Sequence, residues 1–326
     1  MGVKDIVTKD YVKENTVFAD AFNKFIYKGE QVIKPENLRP LDTDITAIPY
    51  GAEGVGVPTQ RYRDVLKSAT AMEDDSKVYL LLAIEAQSEV HHAMPVRNMV
   101  YDALQYAAQV EEAAHSHKEA RKAKNLKELE KKPTAAEYLS GFYKEDRLIP
   151  VITLVVYFGA GEWEGPMSLH EMMAVQEPEI LSLVSDYKLN LIAPESMSDE
   201  EIDQFQTSLR EVMLFIKHSK DRAKLREMVQ KDNRFRNVDK KAASVISTVT
   251  GVEFEEDEEE DKVDMCEGIK GIIEDATNEG MQKGIQQGEL ETAKRMLKKG
   301  GFSYEEIAEL TTLTVEAVQE LAVGIM

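Results

Sequence analysis

Two continuous apolar runs constrain the fold of this chain more than any other feature. They are Val78-Tyr79-Leu80-Leu81-Leu82-Ala83-Ile84 and Leu148-Ile149-Pro150-Val151-Ile152-Thr153-Leu154-Val155-Val156-Tyr157-Phe158. Both have the length and composition of buried strands. Between them, Met94-Pro95-Val96-Arg97 opens a helical pattern, with Pro95 in a first turn where a missing N–H costs nothing. Val96, Met99, Val100, Ala103, Leu104 and Ala107 form its apolar face, and the pattern continues past Lys131. Upstream, residues 11–28 place Val17, Phe18, Ala21, Phe22, Phe25 and Ile26 on one stripe, which predicts a helix ended near Gly29. Pro35, Pro40, Pro49 and Pro58, with glycines at 51, 54 and 56, mark an irregular stretch, and Tyr62–Leu66 is a short alternating strand candidate. Helix, strand, strand, helix, strand over residues 1–166 predicts a mixed α/β core.

The region 167–252 reads as mostly helical. One helix is predicted over 168–185, and another opens at Ser198-Asp199-Glu200-Glu201, a capping-box pattern. Lys217 to Lys241 carries ten Lys and Arg against four acids. Residues 253–264 hold nine acids and one lysine, which cannot bury themselves, so 253–266 is expected to be an exposed linker. A helical tail, 267–326, follows. Gly280, Gly284 and Gly288 share one helix face, Gly300-Gly301 is a stop, and Ser303-Tyr304-Glu305-Glu306 is a second capping box before a final helix from Thr314. The tail has a helix-turn-helix rhythm around Ile307, Leu310, Leu313, Val315, Val318 and Leu321. Glu316 stands where a DNA-reading helix wants basic or amide groups, so the tail reads as a protein-interaction or oligomerisation element.

The 326 residues carry a formal charge of −20, which argues against the whole surface embracing nucleic acid. The basic runs at 115–132 and 217–241 permit such a partner locally, and they equally suit solvated helix faces. No stretch approaches the ~20 apolar residues of a membrane span, and the N-terminus lacks the apolar middle of a secretory signal. Gly2 is followed by Ile6 where a myristoylation signal wants Ser or Thr. The single cysteine, Cys266, excludes an intramolecular disulfide and a cysteine-built zinc site. The expectation is a cytoplasmic protein with no membrane partner. There is no G-x-S-x-G elbow, and GAGEWEGP at 159–166 lacks the lysine of a phosphate-binding loop, so no nucleotide cofactor is expected.

The residues that best carry chemistry are Asp64, Glu85 and Gln87. Glu85 and Gln87, two apart at the end of the apolar run, point to the same face, and Asp64 on the preceding strand could pair alongside. Two converging carboxylates suit a hard divalent cation such as Mg²⁺ that keeps its other positions as water. Gln87 could orient an attacking water. The plainer reading is that Glu85 marks where the strand exits into solvent. Arg97 and Tyr101 lie four apart on one face of the following helix, suiting either a phosphate grip or a salt bridge. Trp163, the only tryptophan, either stacks on a base or caps the core. His115 and His117 diverge on a helix, whereas His91-His92 suits a proton shuttle or a surface turn.

Three separated segments carry a family resemblance: Arg63-Asp64-Val65, then LLLAIEAQSEVHHAMPVRNMVYDALQY at 80–106, then VITLVVYFGAGEWEGP at 151–166. Together they resemble the recombination-promoting nuclease and YhgA-like transposase family, a branch of the PD-(D/E)XK nuclease superfamily. The helix bearing Asn15, Phe18, Ala19, Asp20 and Asn23, and the tail GGFSYEEIAELTTLTVEAVQEL, resemble it as well. The likeness spans about 15–166 and 267–322 and leaves the middle less diagnostic. It implies a mixed sheet flanked by helices, with Asp64 and Glu85 as metal-binding acids and Gln87 where the superfamily usually has lysine. Asp20 matches an occasional first-helix acid and is an accessory candidate with Arg97 and Tyr101. Arg63 stands where the superfamily has proline.

Two functions of different class follow as expectations. The first is an endodeoxyribonuclease dependent on Mg²⁺, with Mn²⁺ able to substitute, acting on DNA in a setting of recombination or mobile elements. The second is a catalytically weakened nuclease-fold protein that works as an interaction or regulatory module through its tail. The glycine-spaced tail helix makes a homodimer plausible under either.

Overall fold

The computed structural model describes residues 2–41, 44–47, 59–62, 64–69, 80–123, 132–254 and 261–323, with backbone alone for 44–47, 59–62, 267–280 and 282–283. The chain divides into two compact units, Met1–Met265 and Cys266–Met326. The first unit begins with α1 (Val3–Val12), α2 (Asn15–Tyr27), β1 (Leu38–Pro40), β2 (Asp44–Ala47), β3 (Thr59–Tyr62), β4 (Val65–Ala69) and β5 (Leu80–Gln87). It continues through α3 (Met94–Ala123), α4 (Ala135–Ser140), β6 (Val151–Tyr157), α5 (Pro178–Leu181) and β7 (Asn190–Ile192). It closes with α6 (Asp199–Ile202), α7 (Leu209–His218), α8 (Arg222–Lys231), β8 (Val238–Asp239), α9 (Lys240–Thr250) and β9 (Lys262–Val263). The second unit is built from α10 (Met265–Lys299), α11 (Tyr304–Thr311) and α12 (Val315–Val323).

A five-stranded mixed sheet, ordered β1-β4-β5-β6-β7, organises the first unit; β1, β4 and β5 are antiparallel, and β5, β6 and β7 parallel. β5 is central and buried from Leu81 to Ala86, as its apolar sequence requires. The parallel pairing of β5 with β6 needs a long crossover, which α3 supplies. Asp102 on α3 accepts hydrogen bonds from the hydroxyls of Thr153 on β6 and Tyr187 before β7, both at 2.6 Å, and so fixes the helix against the sheet.

Several sequence expectations change here. The single helix over 11–28 is two helices. The Lys13 carbonyl accepts from the Lys67 ammonium at 2.6 Å instead of continuing a helix, and Lys67 also donates to Asn15 Oδ1 at 2.7 Å. The strand over Tyr62–Leu66 is interrupted: β3 stops at Tyr62, Asp64 sits in a bend, and β4 starts at Val65; Arg63 lies outside the described residues. β5 runs through Glu85 to Gln87, so Glu85 lies inside the strand and does not mark its exit. Val78, Tyr79, Pro49, Pro58 and the glycines at 51, 54 and 56 lie outside the described residues, as does 124–131, where the α3 pattern was expected to continue.

No helix fills 168–185. The backbone of Met167 and Leu169 pairs with Leu189 and Tyr187 in a bridge, and Pro178 starts the four-residue α5. Because β7 joins the sheet from beyond Pro166, the core and the helical region expected at 167–252 share one sheet. The capping boxes at Ser198 and Ser303 form as read, although the helix after Ser198 is only four residues long. Of the acidic run, 255–260 lie outside the described residues. In the tail unit, Ala293, Ile307 and Val318 form a small core with Leu313 and Leu321 against it, while Leu310 is exposed. Among the described residues, no helix is long and apolar enough to cross a membrane.

Lys67 gives a pH signature for the α1–α2 junction. Burial lowers its pKa from 10.5 to about 8, with Glu14 pulling the other way. The folded state therefore releases this proton before the unfolded chain does. Lys67 disfavours folding below about pH 8, and that penalty fades as pH rises toward 10.5. Denaturant titrations at pH 7.5 and 10 should show the intact protein gaining stability relative to Lys67→Met as pH rises.

Candidate active site

The β4–β5 register pairs Val65 with Ile84, so the next step brings Asp64 opposite Glu85. Asp64 Oδ2 accepts the backbone N–H of Ala86 at 3.1 Å, which anchors its carboxylate between Glu85 and Gln87. Glu85 is fully buried, and its Oε2 meets Arg97 of α3 at 3.0 Å. Arg97 Nε donates to Tyr101 Oη at 3.2 Å, the i,i+4 pairing its spacing suggested. Burial works against the guanidinium's charge, but Glu85, Tyr101 and Asp64 outweigh it and push the Arg97 pKa up. Gln87 is half-buried and donates its amide N–H to the neighbouring Ala86 carbonyl at 3.0 Å. Asp64, Glu85, Gln87, Arg97 and Tyr101 are thus brought together.

Asp20 is not part of this cluster. Both its oxygens accept from the backbone of the loop before α7: Gln206 N–H at 3.0 and 2.9 Å, Thr207 N–H at 2.8 Å and the Thr207 hydroxyl at 2.7 Å. A buried carboxylate saturated by N–H donors is a structural clasp. Among the other candidates, His91 and His92 are exposed in the turn before α3. His117 pairs with Asp146 at 2.9 Å and stacks on Tyr143, away from His115. Trp163 sits edge-on to Tyr157 and packs on the cluster of Met94, Val155 and Leu189, so it caps the core. Gly159 permits the same packing, because a Cβ there would lie 2.1 Å from the Tyr157 ring.

Two groups near the site escaped the sequence reading. Lys9 of α1 brings its ammonium to 3.4 Å from Asp64 Oδ1, a contact across 55 residues of chain that no local pattern signals. Asn98 of α3 is fully buried with both amide atoms lacking a hydrogen-bond partner among the described residues. It lies beside Arg97 and one turn before Asp102 on the sheet-facing side of α3. A groove of about 390 Å³ lined by His91, Ala93, Val96, Arg97, Val100 and Tyr101 opens beside the cluster.

The donors suit only certain metals. Among the described residues, no three His, Cys, Asp or Glu side chains converge, so a closed protein cage is absent. Two carboxylates remain, and Mg²⁺ accepts such a set with waters completing its octahedron. Lys9 and Arg97 also place two positive charges against this pair, the charge one divalent ion would bring.

Two substitutions separate structural from site roles. Asp20→Ala strands the Gln206 and Thr207 N–H groups and should cost about 1–3 kcal/mol in denaturant titration, without changing divalent-ion binding. Arg97→Met leaves the Glu85 charge buried without its ion pair. It should cost about 3 kcal/mol, the low end for a buried pair because Arg97 keeps some solvent contact, and added Mg²⁺ should restore part of the lost melting temperature.

Residues 132–244 match the family model described as putative transposase, YhgA-like. No curated protein and no solved structure matches the chain significantly. The matched stretch takes in α4, β6, β7 and α6 to α8; Asp64, Glu85 and Gln87 lie upstream of it. The match thus falls largely on the middle of the chain, which reads as less diagnostic in sequence, and of the segments that carry the resemblance it takes in only 151–166. Over residues 132–244, about a third of its length, the chain is similar to the YhgA-like putative transposase family.

Proposed function

We propose that this chain is a metal-dependent DNA endonuclease of the PD-(D/E)XK kind, hydrolysing phosphodiester bonds in a setting of recombination or mobile elements. The observation that carries the reading is Asp64 set opposite the buried Glu85, with its carboxylate anchored on the Ala86 N–H. The sheet supports the reading by carrying Asp64 and Glu85 side by side at the β4–β5 pair, with α3 crossing over to the parallel β6. Asp64 and Glu85 would hold Mg²⁺ or Mn²⁺, which when bound polarises a phosphoryl oxygen and acidifies a water. Gln87, its N–H tied to Ala86, offers Oε1 to orient the attacking water. Arg97, paired with Glu85 and steadied by Tyr101, lines the groove and would hold Glu85 in place there. The strand would be guided by the basic segment, in which Lys217, Lys224, Lys231, Arg234 and Lys241 are tied in internal ion pairs, leaving Lys220, Arg222, Arg226 and Arg236 as the better candidates.

Two observations favour the second reading, a weakened nuclease fold acting as an interaction module. The carboxylate pair is already neutralised by Lys9 and Arg97, and α10 exposes Met281 and Ile285 beside Gly284 and Gly288, where a Cβ would meet nothing. That face suits a homodimer. Plasmid nicking separates the readings. Supercoiled DNA should be nicked with Mg²⁺ or Mn²⁺ and not with chelator, and Asp64→Ala and Glu85→Gln should both reduce nicking below detection. Activity retained in Asp64→Ala would remove the cluster from the chemistry, and an inactive intact protein favours the interaction module.

A further inference from the structure

We infer that Lys9 is a catalytic residue of the site, supplying from the first helix the cation that the Glu85-x-Gln87 strand lacks; this rests on the endonuclease reading. The placement of α1 is the first argument. Ser88, the residue after β5, donates its hydroxyl to Asp5 Oδ1 at 2.8 Å, pinning one turn of α1 to the end of that strand. Lys9 is four residues on and shares a helix face with Asp5, so pinning Asp5 sets Lys9 over the same strand end. Its ammonium lies 3.4 Å from Asp64 Oδ1, with the side chain 22% exposed: sheltered, yet open to a ligand entering from solvent.

The second argument is which cation can change partner. Arg97 is committed to the buried Glu85 at 3.0 Å and to the Tyr101 hydroxyl. Lys9 is held more loosely. Among the described residues its ammonium meets Asp64 alone, at a long ion-pair distance, and its stem has four rotatable carbons. With a divalent ion held at Asp64, the carboxylate would be shared and the Lys9 ammonium could turn to a phosphoryl oxygen of a bound strand.

The chemistry needs such a group. As the oxygen of water bonds to phosphorus, the bond from phosphorus to the leaving ester oxygen breaks, and the proton lost by water is matched by one gained on the leaving oxygen. Negative charge builds on the non-bridging phosphoryl oxygens between these events, and a preorganised cation there lowers the barrier. Lys9 keeps its proton throughout and acts by charge and hydrogen bonding. Gln87 can orient water but brings no charge.

The test compares the intact protein with Lys9→Met and Lys9→Arg in three measurements: nicking of supercoiled plasmid, Mn²⁺ binding by calorimetry without DNA, and melting temperature. Lys9→Met should slow nicking about a hundredfold, the usual loss for one charge-stabilising donor, while binding Mn²⁺ as tightly as the intact protein or more tightly. Lys9→Arg should recover most of the rate. A residue that merely tethers α1 would show the reverse: unchanged nicking once melting is allowed for, or joint loss of Mn²⁺ affinity and stability. Either result overturns the inference, and so does Lys9→Met nicking within threefold of the intact protein. Lys9→Gln, which keeps most of the stem, takes its place if Lys9→Met does not fold. Absence of nicking by the intact protein overturns the endonuclease reading itself, and with it the role given to Lys9.

Discussion

The carboxylate of Glu85 is carried into the interior by the most apolar strand of the molecule, and its ion pair with Arg97 is the contact on which the surrounding geometry depends. Taking one carboxylate out of water costs several kcal/mol even after the protein relaxes, so burying Glu85 in its charged form needs a cation delivered to that spot. Delivery falls to α3. Pro95 lies in its first turn, and Asp102, five residues beyond Arg97, locks the helix to Thr153 and Tyr187. The β4–β5 register then sets Asp64 beside Glu85, and the Ala86 N–H holds it there. A slip of one residue in that register would turn Asp64 to the opposite face and dissolve the cluster.

What the sequence made legible follows from the range of the forces involved. β5, β6 and α3 were readable because burial imposes a period on their own residues, and the caps at Ser198 and Ser303 because a capping box closes within four residues. The pairing of Arg97 with Tyr101 was readable for the same reason. The helix expected over 168–185 failed where a long-range contact won: Met167 and Leu169 spend their backbone groups on Leu189 and Tyr187. The break at Lys13 is similar, because the ammonium that takes its carbonyl comes from β4. α1 went unread because its residues show only weak apolar periodicity; Thr8, Tyr11 and Val12 are buried in a helix otherwise polar.

The site divides along the same line. Glu85 and Gln87 sit on one strand, and their common face could be deduced from the strand period. Asp20 shows the limit of position: an acid on an early helix became a clasp for the 206–207 backbone, since what an acid does is set by the groups that reach it. Lys9 shows the converse. Nothing around it in sequence distinguishes it from Lys4 or Lys13, and only the packing of α1 across the end of β5 gives it a neighbour of consequence.

Lys9 and Arg97 also explain how two carboxylates can stand side by side at this strand end. Two carboxylates alone, side by side in a partly dry site, would repel each other and favour protonation of one of them. Two side-chain cations offset that penalty. Their bonds are unequal: the Arg97 pair is short and buried at Glu85, whereas the Lys9 pair is long and partly exposed at Asp64. Asp64 is therefore the carboxylate whose charge is less firmly matched, and the one in contact with solvent. This asymmetry divides the cluster into a fixed half, where Glu85 and Arg97 hold the sheet and α3 together, and a more accessible half at Asp64 and Lys9.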